Sequence, residues 1–550
     1  MPQIIYKSHT ADIPLFYGSL PDLLSSSPYH LNRGHRPLVT DAATGLTLTI
    51  ADHYRLVRAL AVVLKRKYAF KRGTVVGLLI PNHVYLGALH HAILWAGGII
   101  SPVNSAYQHK DFSDQIVAAG ADFVVALDGP WLTVASESLA QIGDRSTKLL
   151  SFTDLTNQAL SNLSLGDGPE GDPLPLDRPS KETVAYLCFS SGTTGKFKGV
   201  MTSHYNLANN VLQSVLHSQH TFTQFGVYAG FLPQTHIYGL QTHLYVTQYL
   251  GAQLVVFPKF VFPDFLRAVE KYHISHVNVV PPIMVLLAKS PLVDQYPTIK
   301  DHLRVLVSGA APLSESLAAA VSERLGEGKI CICQGYGMTE MSPVTHATPT
   351  NRPDTKIGTI GTLVPNVEAR LVDPDTLEDV PYGGPGELLF RGPNVMMGYL
   401  KNEAATRESL IGDGWMRTGD IASIDEDGYY KIVDRAKEMI KSKGFQVAPA
   451  ELEALLLTHP DVADAAVVGH WSEEEATERP RAFVVLRNGG DAEKVHRWMD
   501  ERVAKHKRLY GGIVVLDEIP KSPSGKILRR LLKTRKGDKA TVYKSVVSKL

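Results

Sequence analysis

Cysteine is scarce in this 550-residue chain, which carries only Cys188, Cys331 and Cys333. So few thiols, odd in number, cannot build a disulfide framework, and they suit a reducing compartment. The C-x-C pair in the run KICICQ has no second Cys or His pair at zinc-like spacing, so Cys331 and Cys333 are expected to be small buried hydrophobes on a strand. A surplus of either charge is also missing. Fifty-six Lys and Arg against 55 Asp and Glu leave a net charge of +1, with no electrostatic footprint for nucleic acid or an anionic membrane. Long unbroken apolar runs are absent as well. The longest apolar region, 75–100, is interrupted by Pro81, Asn82, His83, His90 and His91. It falls short of the ~20 residues of a membrane span and is expected to form strand, turn and buried helix. The N-terminal MPQIIYKSHTADIP has no basic stretch followed by an apolar one, so no secretory signal is expected.

What is present is a chain too long for one hydrophobic core, since cores stop growing near roughly 250 to 300 residues. At least two domains follow. With 44% hydrophobic and 20% charged residues and 45 glycines, the composition is that of a soluble globular protein. Short apolar runs alternate with helical periodicity, as in VVGLLI then YLGALHHAILWAG, and HVNVVPP then IMVLLAK, a pattern of parallel sheet flanked by helices. From Lys356 short strands with Gly, Pro and Asp turns suggest a small antiparallel lobe. The fold class expected is α/β: a large N-terminal domain of parallel sheets with flanking helices and this β lobe, over 1–433. A hinge at 434–437 and a small mobile α+β C-terminal domain at 438–536 follow. The segment LGDGPEGDPLPLDRPS reads as a surface linker. The tail, 537–550, is expected to be flexible and ends in Ser548-Lys549-Leu550, which matches the peroxisomal import address, so a peroxisomal location and an import receptor as partner are expected.

The densest chemical signal is YLCFSSGTTGKFKGV, 186–200. An apolar strand runs into Ser190, Ser191, Gly192, Thr193, Thr194, Gly195 and Lys196, small and hydroxyl-bearing residues whose backbone N–H groups can approach phosphate oxygens. The spacing is not that of a Walker A loop. A flexible surface turn is the bland alternative, weakened by the strand context and the length of the cluster. In GYGMTE, Gly335 and Gly337 flank Tyr336, giving a turn on which an adenine ring could stack, and Glu340 is a hard oxygen ligand suited to Mg²⁺ beside a triphosphate. Asp420 could accept from ribose hydroxyls, and the fork of Arg435 could hold ribose or phosphate oxygens. Lys526, in SPSGKIL, can offset charge that builds up on phosphate oxygens. Taken singly, each of these residues would read as an ordinary surface group.

Together the motifs fall into an order. YLCFSSGTTGKFKGV, QGYGMTEMSP (334–343), WMRTGD (415–420), GYYKIVDRAKEMIKSKGFQVAPAELE (428–453) and PKSPSGKILRR (520–530) resemble the core motifs of the adenylate-forming superfamily of acyl-CoA synthetases, adenylation domains and luciferases. Among its branches the chain most resembles 4-coumarate–CoA ligases. The resemblance implies activation of a carboxylic acid by ATP as an acyl-adenylate, then transfer to coenzyme A. It implies that Gly309, Ala310, Ala311 and Pro312 border the adenine, that Thr339 contacts the α-phosphate and Glu340 the Mg²⁺, and that Asp420 and Arg435 hold the ribose. Lys526 is then the lysine of the adenylation step, supported by Lys441 and Gln446. Lys437 lies at a hinge about which the small domain turns, and Lys443, Gly444 and Phe445 lie beside the pantetheine tunnel. His236 and Tyr238 occupy the place where the family sets a His and an aromatic against the acyl group, with Ser308, Met338, Pro343 and Val344 completing a mostly apolar pocket. No acidic residue occurs between Phe231 and Thr242 to hold a substrate ammonium, so an aromatic or medium-chain acid is expected rather than an α-amino acid. Phe197 departs from the proline usual there. A luciferase-like oxygenase and a stand-alone enzyme loading a carrier protein share the motifs and stay open; a silent nucleotide scaffold would have lost Lys526, Glu340 or Asp420.

Overall fold

The computed structural model describes residues 3–144, 146–190, 198–219, 221–311, 313–326, 329–349, 356–435, 438–442, 445–473, 477–487, 489–521, 526–535, 537–538 and 540–541. The chain divides into two compact units. The larger comprises Tyr6–Glu368 and Phe390–Met416, and the smaller comprises Met1–Ile5, Ala369–Leu389 and Arg417–Leu550.

The larger unit is built on two mainly parallel sheets. One has nine strands, with Gln253–Val256, Val227–Gly230, His276–Val279, Val305–Ser308 and Cys331–Gly337 parallel neighbours in that order. Beyond Cys331–Gly337 the sheet ends in the antiparallel strands Val344–Ala347 and Thr362–Leu363. The other has seven strands, in the order Gly398–Tyr399, Lys198–Ser203, Val184–Ser190, Ile99–Pro102, Val75–Leu79, Phe123–Ala126 and Lys148–Ser151. The strands His276–Val279 and Phe123–Ala126 are buried at all four positions, as strands covered on both faces should be.

Region 75–100 folds as read: strand Val75–Leu79, helix Leu86–Trp95 with all ten residues buried, and strand Ile99–Pro102 beginning beside it. Its histidines are absorbed by partners. His90 Nδ1 is 3.0 Å from the Tyr186 hydroxyl, and His91 Nε2 is 3.1 Å from the Leu244 carbonyl. Among the described residues no helix is long and apolar enough to cross a membrane. The stretch expected as a plain surface linker instead forms short 3₁₀ turns, Leu163–Asp167 and Pro169–Gly171. These are tied to the long helix Ile50–Lys67, where Arg58 donates to the Gly166 carbonyl at 2.7 Å and pairs with Asp172.

A six-stranded sheet has the order Tyr6–Lys7, Glu368–Val372, Gly386–Arg391, Trp415–Ile424 and Leu410–Ile411, with Tyr430–Arg435 antiparallel to Trp415–Ile424. Further along the smaller unit, Val462–Ser472 and Thr477–Leu486 form a long hairpin joined in parallel by Ile513–Val515, with helices Pro449–Leu456 and Ala492–Asp500 beside it. Its own core gathers Ile440, Leu452, Val467, Ala482, Val495 and Met499. The α/β class, the antiparallel lobe and the smaller α+β end are as the sequence predicts.

Candidate active site

Strand Val184–Ser190 pairs antiparallel with Lys198–Ser203, Ser190 opposite Lys198. The strands on either side of the Gly, Ser and Thr cluster are therefore neighbours. Ser191, Gly192, Thr193, Thr194, Gly195, Lys196 and Phe197 lie outside the described residues, as does the Ser190 side chain.

Just past that cluster, Lys198 places its ammonium 5.0 Å from the ring centroid of Tyr399. The Tyr399 hydroxyl donates to Glu340 Oε1 at 2.9 Å. Glu340 is only 7% exposed, so one buried carboxylate is linked through a tyrosine to the strand leaving the candidate phosphate loop. Burial, and next the Glu340 charge, push the Tyr399 phenol up from its ordinary pKa, so it stays a donor. Tyr399 was not singled out from the sequence. It stands 59 residues from Glu340, and only strand pairing of Gly398–Tyr399 with Met201 and Val200 brings it there.

The turn carrying Glu340 is clamped by buried amides. Asn394 donates to the carbonyls of Met341 and Val344, both at 3.0 Å, and Asn210 donates to Val344 O at 2.7 Å while accepting from its N–H. Gly337 is required by close approach, because a Cβ there would lie 2.1 Å from the Pro343 carbonyl oxygen. Tyr336 is the ring on which a base could stack, but it lies on the strand Cys331–Gly337 and not in the turn its flanking glycines suggested, because Gly335, Tyr336 and Gly337 pair with Val344–Ala347 and the chain turns only beyond them. The ring is met edge-on by His346 at 6.0 Å and by a tilted Phe390 ring at 6.4 Å. Thr339 opens the short 3₁₀ turn Thr339–Met341, with Met338 as its cap and Pro343 and Val344 following. Gly335 begins the antiparallel ladder opposite Ala347.

The strand Val305–Ser308 delivers Ser308, Gly309, Ala310 and Ala311 beside this turn, since Ser308 pairs with Gln334. Ser308 is buried and its hydroxyl finds no partner among the described residues. Ala310 holds a left-handed φ of 68°. The Tyr238 ring packs against Gly309, where a Cβ would come within 3.2 Å of it, and its hydroxyl donates to Val307 O at 3.0 Å. His236 uses its ring to accept from the Tyr238 N–H, capping a short turn that continues into the π-helical segment Leu240–Val246. Such segments are rare and frequent at functional sites. The structure thus brings together His236, Tyr238, Ser308, Gly309 and Ala310 on one side and Gly335 to Glu340 on the other. Pro312 lies outside the described residues.

Cys188 and Cys333 are buried as expected of small hydrophobes, but Cys331 is partly exposed, because its strand gains an antiparallel neighbour only further along.

In the smaller unit, Asp420 lies directly across the ladder from Arg435. Gly419, at a φ of 71°, turns the chain so that its N–H reaches Glu387 and the Asp420 N–H reaches Thr418 Oγ1. Lys526 lies in the turn closed by the Leu528 N–H to the Pro520 carbonyl at 2.8 Å. That turn is fastened by a buried ion network missed in the sequence: Arg529 bonds Glu438 at 2.7 Å and Glu453 at 2.7 and 2.9 Å. Glu453 also accepts from the Val467 N–H. Glu438 and Glu453 lie in the motif 428–453 and Arg529 in the motif 520–530, and acids in one motif with a base in another were the available signal. Lys437, Lys443 and Gly444 lie outside the described residues, as do the side chains of Arg435, Lys441, Phe445 and Gln446 and the tail Ser548 to Leu550.

A buried carboxylate beside a hydroxyl and a tyrosine is an all-oxygen donor set, which fits a hard divalent cation such as Mg²⁺ better than a soft one. Among the described residues there is no cluster of three or more His, Cys, Asp or Glu that could hold a metal.

Residues 31–400 match the family of AMP-binding enzymes, and residues 451–526 match the C-terminal domain of AMP-binding enzymes. The chain is 40% identical over 483 residues to a Dictyostelium discoideum protein named "Probable 4-coumarate--CoA ligase 1", covering 85% of this chain and 86% of that protein. It is 35% identical over 540 residues to a 4-coumarate–CoA ligase of Pinus taeda, covering 96% and 97%. The crystal structure of ATP-bound MatB from Rhodopseudomonas palustris superposes with a TM-score of 0.82 at 28% identity, covering 93% of this chain and 98% of that one. The chain belongs to the AMP-binding enzyme family.

Proposed function

We propose that this protein is an AMP-forming acid–CoA ligase acting on an aromatic or medium-chain carboxylic acid. A substrate carboxylate oxygen attacks the α-phosphorus of ATP, releasing pyrophosphate and leaving an acyl-adenylate. The thiol of coenzyme A then attacks the acyl carbonyl, and AMP departs as the thioester forms. The observation that carries this reading is the buried Glu340 on the clamped turn Thr339–Met341 that follows the strand Cys331–Gly337, joined through Tyr399 to the strand that leaves the Gly, Ser and Thr cluster.

Tyr336 stacks the adenine, Thr339 donates to the α-phosphate, and Asp420 accepts from the ribose hydroxyls. Glu340 would hold a Mg²⁺ ion, which would supply positive charge against the phosphates. Lys526 supplies the ammonium that stabilises the charge building on the bridging and leaving oxygens. Tyr238, Ser308, Pro343 and Val344 shape a pocket of mostly apolar character with one buried hydroxyl, which suits an acid carrying no ammonium group. The terminal Ser548-Lys549-Leu550 is the address by which an import receptor takes the protein into a peroxisome.

The test is a panel of aryl, cinnamyl and aliphatic acids assayed for AMP release with and without coenzyme A. Release that requires both an acid and coenzyme A, with an acyl-CoA product, is expected. Pyrophosphate exchange without a thioester to free coenzyme A would point instead to a carrier protein as acceptor, and light emission with oxygen to an oxygenase.

A further inference from the structure

Two of the three thiols face one another. Cys331 Sγ and Cys333 Sγ are 3.3 Å apart at the start of the strand Cys331–Gly337. Residues i and i+2 of a strand share a face, and Ile332 between them packs into the opposite core with Leu306 and Leu325. Cys333 is 3% exposed, with Thr221 Oγ1 at 3.9 Å, whereas Cys331 reaches the surface in part. Through this stretch the backbone is paired with Val305–Ser308 on one side, and the ladder with Val344–Ala347 begins only at Gly335. The segment can therefore bend where a strand held on both sides could not.

We infer that Cys331 and Cys333 are a peroxide-sensitive dithiol whose closure to a disulfide distorts the rest of their strand, Gln334 to Gly337, and with it the turn that carries Glu340. The Cys331 thiolate attacks one oxygen of hydrogen peroxide. The O–O bond breaks, the sulfur becomes a sulfenic acid, and the departing hydroxide takes up the thiol proton as water. The Cys333 sulfur then attacks the Cys331 sulfur. The S–O bond breaks as the S–S bond forms, and hydroxide leaves with the Cys333 proton as a second water. Two thiols lose two electrons, and one peroxide becomes two waters.

The order of events follows from acidity and access. The contact with Cys333 lowers the Cys331 thiol, and the same contact, followed by burial, raises Cys333. The thiolate therefore sits on the sulfur that peroxide can reach, and the buried one resolves it. Closure draws the sulfurs to about 2.0 Å, while Cα atoms two apart in a strand are about 6.6 Å apart, near the upper end of the range disulfides tolerate. The strand must bend, and its next residues are Gln334, whose Oε1 receives the Gly358 N–H at 2.8 Å, and then Tyr336.

The effect on catalysis rests on the ATP site proposed above, but the thiol chemistry does not. The full-length protein is treated with hydrogen peroxide and followed by peptide mass and by AMP release. A loss of two hydrogens confined to the peptide holding Cys331 and Cys333 is expected, with AMP release falling several-fold at limiting ATP and dithiothreitol reversing both. Cys331→Ser should keep basal AMP release and lose both responses. Cys333→Ala should stop at a sulfenic acid that dimedone traps. Oxidation of Cys331 only to sulfinic or sulfonic acid, or undiminished sensitivity in Cys331→Ser, would overturn the dithiol. A mass loss with unchanged AMP release would overturn its link to the turn. Untreated protein that releases no AMP with any acid would count against the ligase reading alone, since the mass change is read independently.

Discussion

Glu340 is a carboxylate withdrawn from water, and a buried charge is tolerable only where donors or cations face it. The Tyr399 hydroxyl is one such donor. A hydrogen bond to a charged group contributes about 1.5 to 3 kcal/mol, so Tyr399→Phe should slow AMP formation by about ten- to a hundredfold and raise the Mg²⁺ concentration needed for half-maximal rate. A Mg²⁺ titration of the variant that overlays the parent would remove Tyr399 from the site. Lys526 is argued from charge development instead. Lys526→Ala should cut adenylate formation by about 10² to 10³, as loss of one preorganised donor does, while sparing thioester formation from a presynthesised acyl-adenylate. Equal loss in both halves would refute the assignment. Glu340 and Lys526 were legible from residue type and motif. Tyr399 and Arg529 were not, because their value lies in partners 59 and 76 positions away.

Among elements, the turn 335–344 shows how backbone and side chains divide the work. Its shape depends on Gly337 lying against the Pro343 carbonyl and on Asn210 and Asn394 holding Val344 and Met341. Gly337→Ala drives a methyl to 2.1 Å from an oxygen, so the turn must move. Nucleotide affinity measured by calorimetry should fall while the thermal transition of the fold shifts little, because the clash is local and Gly337 is exposed. Affinity equal to the parent would mean that the turn does not carry the nucleotide. The strand and helix runs around this turn were readable from periodicity, since local propensity and burial agree there. The π-helical segment Leu240–Val246 and the ordered stretch 163–171 were not, because both are set by what packs on them.

The whole molecule hides a set of histidines in its larger unit. Burial lowers His90 to about 3 and His91, His204 and His276 to about 4, from an ordinary value of 6.5. A base held neutral when folded and free to charge when unfolded destabilises the fold as pH falls. Stability is complete above 6.5 and is lost between 6.5 and 4, where the unfolded chain binds more protons, by about 1.4 kcal/mol per pH unit for each such histidine. The urea midpoint should therefore drop steeply from pH 6.5 to 4.5, and replacing His90 with Asn should make that slope shallower; an unchanged slope would reassign the effect. At the same scale, deleting Ser548 to Leu550 should leave AMP release intact and disperse the protein into cytosol, and unchanged localisation would dismiss the import address.

The sequence by itself determined the fold class, the motif order and the types of residue proposed to meet phosphate, ribose and carboxylate, because these follow from local periodicity and from side-chain chemistry that no fold alters. The tertiary structure alone decided which of those groups meet. It placed Tyr399 on Glu340, fastened the stretch after Lys526 through Arg529, buried the histidines and left Cys331 partly exposed. Such pairings depend on strand order and on desolvation, properties of the packed chain that no short stretch of sequence contains.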